Sequence, residues 1–167
     1  MTAVVVAAFL IAAFVGFSIL GPGAGKKAEN KTDGAVTVTV ECKDLADHME
    51  KLKKPSLKKY IPEDGVILDA AEYRFKKGET VYDALEAVCM REDVQLETSE
   101  DAVYKSRYIE GLGYLYEKDA GRNSGWIYTV NGKSPSYGAS KVKLADKDEI
   151  VWHYTVDYEK EDDDAGM

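Results

Sequence analysis

The chain has 167 residues, of which 45% are hydrophobic and 31% are charged, and its formal net charge is −8. The apolar fraction is large enough to build a hydrophobic core, which excludes a wholly disordered chain. A polyanionic partner needs a basic surface, so the acidic balance argues against nucleic acid as a partner.

The N-terminal run over residues 3–20 contains no charged side chain. A helix of that length can cross the hydrocarbon core of a bilayer. We therefore expect a signal-anchor or a signal peptide over residues 1–22, with the membrane as the partner of residues 3–20. The run is longer than the usual apolar core of a signal peptide, but Gly23 and Ala24 offer a cleavage point, so both readings stay open. Residues 23–34 lack apolar periodicity, which predicts a flexible linker.

The first half of the remaining chain predicts two strands and a helix. Val36, Val38 and Val40 alternate with polar residues, as in a half-buried strand. Residues 44–54 are polar and are predicted to be helical or irregular, and a second strand is expected from residue 66 through residue 75. Thr80, with Asp83 three residues later, predicts a helix N-terminus, and an apolar stripe continues to about residue 91.

The second half is strand-like and rich in tyrosine. The spacing predicts six short strands, over residues 94–96, 103–104, 108–109, 114–116, 126–130 and 150–155. Asn131 and Gly132 form the dipeptide that favours a tight hairpin turn. One sheet with one main covering helix is the economical arrangement, so the predicted class is α+β. Residues 158–167 are acidic and predict a disordered tail.

The sequence offers little for catalysis or for metal binding. It contains no HExxH, CxxC or GxSxG pattern, so we expect neither an enzyme nor a metal site. Cys42 and Cys89 are the only cysteines. They could pair in an oxidising compartment, but Cys89 lies on the apolar stripe of the helix, where a reduced buried thiol is equally natural. Spacing leaves both alternatives open.

The best candidate binding residues surround the first tryptophan of the second half. Tyr and Trp combine an apolar body with a polar tip, which suits a contact surface. Ser124 and Gly125 are small, so we expect them to leave one face of the Trp126 indole accessible. Tyr128 and Asn131 follow on the same predicted strand and its turn. The predicted ligand-binding residues are Ser124, Gly125, Trp126, Tyr128 and Asn131.

Several segments together resemble the transcobalamin-like C-terminal domain family, a bacterial group similar to the C-terminal domain of the animal cobalamin carriers. The segments are VTVTVECKDL, PEDGVIL, GETVYDAL, YIEGLGYLYE and SGWIYTVNGKSPSYGASKVKLADKDEIVWHYT. They occur in the family order over residues 35–157. The resemblance implies a β-rich α+β domain, similar to a β-grasp. It also implies export and tethering at the cell surface of a Gram-positive bacterium, although the lysines that follow residues 3–20 favour a cytoplasmic domain by the positive-inside rule.

Two departures from the family pattern concern turn geometry and cysteine pairing. Lys147 and Asp148 stand where relatives have Gly-Asp, and cysteines that some relatives carry near Ala139 and Val156 are absent.

The resemblance implies two functional hypotheses. In the first, the domain binds cobalamin or another corrinoid, with Trp126 and Tyr128 packing on the ligand and Ser124 and Asn131 supplying hydrogen bonds. An accessory protein of this kind could hand the corrinoid to an uptake transporter. In the second, the domain contacts a surface protein or an envelope polymer through its Tyr and Trp residues. Both place the soluble domain outside the cell membrane, and neither requires a cofactor beyond cobalamin as a ligand.

Overall fold

The structure is a computed structural model that describes residues 32–101 and 105–159. These residues lie in one compact unit, Lys31–Met167. The predicted signal segment, most of the predicted linker, residues 103–104 and the tail from residue 160 onward lie outside the described residues. Among the helices that are described, none is long and apolar enough to span a membrane.

The domain contains seven strands and two α-helices within the described residues. The strands are β1 (Gly34–Glu41), β2 (Val66–Phe75), β3 (Leu96–Asp101), β4 (Ser106–Leu112), β5 (Leu115–Tyr116), β6 (Gly125–Val130) and β7 (Glu149–Thr155). The α-helices are α1 (Lys43–Asp47) and α2 (Val81–Arg91), and short 3₁₀ helices cover Met49–Lys51, Pro55–Tyr60 and Ala139–Lys141. The α+β class predicted from the sequence is confirmed.

The strands form two sheets, so the prediction of a single sheet is wrong. The larger sheet has the order β2-β1-β7-β6, and the smaller has the order β3-β4-β5. In the larger sheet β1 and β7 are parallel neighbours at the centre, and β2 and β6 flank them in antiparallel pairs. The second sheet arises because β3 and β4 pair with each other rather than with the larger sheet.

The core lies on one face of the larger sheet. The register places Val38 beside Ile150 and Val40 beside Trp152, and all four side chains are buried. The alternation that predicted β1 is therefore the alternation between core and outer face. Helix α2 lies against β1 and β2, and β4 of the smaller sheet lies near β6.

Helix α2 begins and ends where the sequence predicts. The Thr80 hydroxyl accepts a hydrogen bond from the Asp83 N–H (3.3 Å), and the Asp83 carboxylate accepts one from the Thr80 N–H (2.7 Å). This reciprocal pair satisfies two of the N–H groups that a helix start leaves without partners. The buried residues of α2 include the predicted stripe and also Tyr82.

The Asn-Gly turn is present, although it does not join two long strands. Asn131 and Gly132 both have positive φ (52° and 73°), as a tight hairpin turn requires. Val130 and Lys133 close the turn as an isolated bridge. The chain then crosses residues 134–148 before β7 returns beside β6, which leaves a long loop next to the smaller sheet.

Candidate functional site

The structure gives Ser124 and Gly125 structural positions. Ser124 is 2% exposed, and its hydroxyl accepts from the Ala120 N–H (3.1 Å) and donates to the Gly121 carbonyl (3.0 Å). Gly125 is buried at the start of β6, opposite Thr155. These contacts fix the loop that enters β6.

The expectation that Trp126 has an accessible indole face is wrong. Trp126 is 8% exposed, its Nε1 donates to the Leu115 carbonyl (2.8 Å), and its ring meets Tyr154 edge-on at 5.3 Å. The small neighbours Ser124 and Gly125 do not expose the indole to solvent, because its hydrogen bond to Leu115 places the ring under β5 of the smaller sheet. The second tryptophan, Trp152, is 3% exposed and its Nε1 has no hydrogen-bond partner among the described residues.

Tyr128 and Asn131 are engaged within the domain. The Tyr128 ring stacks on Trp152 (4.9 Å between centroids), and its hydroxyl donates to the Tyr137 carbonyl at 2.6 Å. Burial raises the pKa of Tyr128 to about 12. The Asn131 side chain donates to Asp148 (2.8 Å) and accepts from the Glu149 N–H (2.9 Å), which ties the tight turn to the start of β7. Their predicted contact with a ligand stays a prediction.

A groove lies between β4 and the loop that follows the tight turn. It has a volume of about 410 Å³. We call it the 106–141 groove, and the residues that line it are Ser106, Arg107, Tyr108, Ser136, Tyr137, Gly138 and Lys141. None of the five predicted site residues lines this groove, but Tyr128 holds one of its walls through the carbonyl of Tyr137.

Close contact between the loop and β4 closes one end of the 106–141 groove. A Cβ atom added to Gly138 would overlap the Ser106 hydroxyl, so only glycine allows this approach. The Ser140 hydroxyl lies 3.1 Å from the Ser106 hydroxyl and accepts from the Arg107 N–H at 3.1 Å. The loop is therefore anchored to β4 by the Ser140 side chain, two residues after the glycine.

Two exposed tyrosines give the 106–141 groove its apolar surface. Tyr137 is 71% exposed and Tyr108 is 44% exposed. The Tyr108 hydroxyl donates to Glu117 at 2.6 Å, which fixes the ring. Partial burial and this bond to a carboxylate raise the pKa of Tyr108, and the same bond, with help from Lys118, lowers the pKa of Glu117. Tyr108 is therefore neutral at physiological pH, and both exposed rings are available for packing.

The described residues offer neither a metal centre nor an accessible thiol. No group of His, Cys, Asp and Glu among them could hold a metal ion. Cys42 and Cys89 are both buried and free, and burial raises the pKa of each thiol to about 12. Such thiols stay protonated and unreactive at neutral pH.

Comparison with known proteins supports the resemblance found in the sequence. Residues 78–156 match the domain of unknown function DUF4430. A solved structure of haptocorrin in complex with Cbi has a similar fold, with a TM-score of 0.51 and 11% identity over 73% of this chain. The predicted resemblance to the transcobalamin-like C-terminal domain family is confirmed. This chain spans 25% of the length of that haptocorrin chain, and the likeness shows a shared fold.

A second structure gives a weaker likeness. It is described as a "putative metal binding protein" from Ruminococcus gnavus ATCC 29149, with a TM-score of 0.43 and 16% identity over 74% of this chain and 97% of that one. A search of curated protein sequences found no match.

Proposed function

We propose that this transcobalamin-like domain is a non-catalytic binding domain that holds a small amphipathic ligand in the 106–141 groove. The observation that carries the proposal is the pair of exposed tyrosines, Tyr108 and Tyr137, that line this groove. Large apolar side chains are normally buried, and exposed aromatic residues that line a concavity are typical of binding sites. A volume of about 410 Å³ lies within the range of small-molecule sites.

A corrinoid is the first ligand to test. The fold is shared with haptocorrin, whose solved structure holds Cbi, and the strand order with its parallel central pair supports the predicted β-grasp-like classification. A corrinoid is larger than a groove of about 410 Å³. The domain would therefore cover only part of it, and we expect modest affinity unless a partner completes the site. This geometry also fits an accessory protein that hands its ligand to an uptake transporter.

Titration with cyanocobalamin, followed by its visible absorbance, tests the corrinoid proposal. We expect saturable binding, and we expect Tyr137→Ala to weaken it by about 1–2 kcal/mol, the usual worth of packing an aromatic ring on a ligand. Tyr114→Ala is the matched control, because Tyr114 is also exposed (48%) but stacks on Tyr60 outside the groove. Absence of saturable binding up to about 1 mM ligand, a very weak affinity, would remove corrinoids as the ligand.

The competing function is contact with a surface protein or an envelope polymer. The stack of the exposed Tyr114 on the half-buried Tyr60, with a centroid distance of 4.5 Å, is the feature that favours this function. If the domain contacts a surface protein or a polymer instead, cyanocobalamin should not bind to the protein or to either tyrosine variant. This function also predicts that Tyr114→Ala, rather than Tyr137→Ala, reduces retention of the protein on isolated cell envelopes.

We further propose that residues 3–20 tether the domain to the membrane and that the domain faces the outside of the cell. The uncharged run and the family resemblance support this location. Labelling of an Ala165→Cys variant on whole cells with an impermeant thiol reagent tests it, since Cys42 and Cys89 are buried and should stay silent. Labelling of intact cells is expected, whereas labelling only after lysis would place the domain inside.

A further inference from the structure

We propose that the 106–141 groove selects ligands that carry an anionic group, such as a phosphate, sulfonate or carboxylate, beside a flat apolar portion. This rests on the proposed function, because it concerns the same groove, but it does not depend on the ligand being a corrinoid. The described residues that line the groove include two cations, Arg107 and Lys141, and no acid. The whole chain has 30 acidic and 22 basic residues. The groove therefore has the opposite charge to the protein as a whole.

Neither cation is neutralised by a neighbouring carboxylate of the described residues. The ion pairs found among the side chains of residues 32–100 and 105–159 involve other lysines, two other arginines and His48. The guanidinium of Arg107 lies 5.7 Å from the centre of the Tyr82 ring, a contact that holds the side chain and keeps its charge. Lys141 is exposed. Both positive charges can therefore act on a bound ligand.

The backbone that carries Lys141 is held in place. Its N–H donates to the Gly138 carbonyl at 2.8 Å, within the 3₁₀ helix Ala139–Lys141. The next residue, Val142, accepts a hydrogen bond from the Val81 N–H (3.0 Å) at the start of α2. A cation on an anchored segment loses less freedom on binding than one on a free loop, so it contributes more to affinity.

Glu117 and Glu100 are acidic residues that contact or face residues lining the groove. Glu117 accepts hydrogen bonds from the Tyr108 hydroxyl (2.6 Å) and from Lys118 Nζ (2.9 Å), so it is already paired with a cation. Glu100 lies opposite Arg107 in the β3–β4 ladder, and the ion pairs found among the described side chains do not include one between these two residues. The groove itself keeps a positive balance.

The apolar part of the ligand has a matching surface beside these charges. The Tyr128 hydroxyl fixes the carbonyl of Tyr137 at 2.6 Å while the Tyr137 ring stays 71% exposed. A flat group that packs on this ring loses water from one face, which favours binding in proportion to the apolar area that is buried. An anion at the edge of that flat group would then meet Lys141 or Arg107.

Two fluorescent probes that share a ring system but differ in charge test the proposal. We use 8-anilinonaphthalene-1-sulfonate, which is anionic, and N-phenyl-1-naphthylamine, which is neutral. We expect Lys141→Gln to raise the dissociation constant of the anionic probe by about three- to tenfold at low salt, and that of the neutral probe by less than about twofold. Tyr137→Ala should weaken both probes. Lys77→Gln, an exposed lysine outside the groove, is the matched control and should change neither.

The outcomes separate this proposal from the corrinoid proposal. Equal effects of Lys141→Gln and Lys77→Gln, or equal losses for both probes with Lys141→Gln, would overturn anion selection. If cyanocobalamin does not bind but the probes behave as expected, anion selection stands and the corrinoid proposal fails. If cyanocobalamin binds while Lys141→Gln has no effect on the anionic probe, the corrinoid proposal stands and anion selection fails. Near-UV circular dichroism of each variant confirms that it is folded.

Discussion

Replacing Trp126 separates a role in the core from a role in ligand contact. The indole is 8% exposed, packs edge-on against Tyr154 and donates its N–H to the Leu115 carbonyl at 2.8 Å. Truncation of a buried aromatic residue to alanine typically costs about 3–5 kcal/mol, because it removes apolar contact and leaves a cavity. A domain of this size has a stability of about 5–15 kcal/mol, so Trp126→Ala should leave it marginally folded.

Trp126→Phe isolates the hydrogen bond from the packing. Phenylalanine keeps most of the ring volume but leaves the buried carbonyl of Leu115 without its donor, which costs about 1–3 kcal/mol. Urea unfolding followed by far-UV circular dichroism measures both variants as changes in the free energy of unfolding. If Trp126→Ala does not fold, the phenylalanine variant still gives the test.

Tyr137→Ala should weaken ligand binding while leaving the stability of the domain nearly unchanged. Tyr137 is 71% exposed, so its removal should change the free energy of unfolding by no more than about 0.5 kcal/mol. The reasoning is refuted if Trp126→Ala costs less than about 1 kcal/mol, well below the core range, and also abolishes ligand binding in a folded protein. That result would mean that the indole faces the ligand, as the sequence alone suggested.

Four further predictions concern the scaffold. Thr80→Ala removes the capping bond to Asp83 and should lower the free energy of unfolding by about 0.5–2 kcal/mol in urea titrations; a negligible change would show that the cap does not stabilise α2. Cys42 and Cys89, with thiol pKa values of about 12, should react with Ellman's reagent at pH 8 only after unfolding, and reaction of the native protein would contradict their burial. Because burial raises both pKa values above the ordinary thiol value of 9.0, the contribution of the two thiols to stability should be complete below about pH 9. It should be lost as the pH rises toward 12, and Cys42→Ala should reduce that loss. Asn131→Ala should lower the free energy of unfolding by about 1–3 kcal/mol, because it removes the side-chain hydrogen bonds and places alanine at a positive φ. Asn131→Gly should lower the thermal unfolding temperature less, since glycine adopts a positive φ without strain. Equal losses in the two variants would exclude a contribution from backbone strain.

The parts of the fold that the sequence predicts correctly depend on local patterns. The alternation of Val36, Val38 and Val40 marks a strand with one buried face, and the Thr80 and Asp83 pair marks a helix start. The division into two sheets could not be predicted in this way, because it depends on which distant strands pair. Strand β3 was predicted too early, over residues 94–96, because its true residues, Leu96–Asp101, are mostly polar and lie at a sheet edge.

The candidate site was harder to predict than the fold for a related reason. Trp126 looks accessible in the sequence, and only the packing of the smaller sheet buries it. The groove that carries the proposal joins β4 to a loop with little regular structure, so no periodicity relates Tyr108 to Tyr137. A tyrosine between small residues, in the segment SPSYGAS, was the available signal, since small neighbours in a loop expose a large side chain.

The most direct test of ligand binding in the 106–141 groove is an amide NMR titration of the labelled protein with cyanocobalamin and, separately, with 8-anilinonaphthalene-1-sulfonate. We expect the largest shifts for a bound ligand to fall on residues 106–108 and 136–141. Shifts confined to the stack of Tyr60 and Tyr114, or to the outer face of the larger sheet, would contradict this expectation.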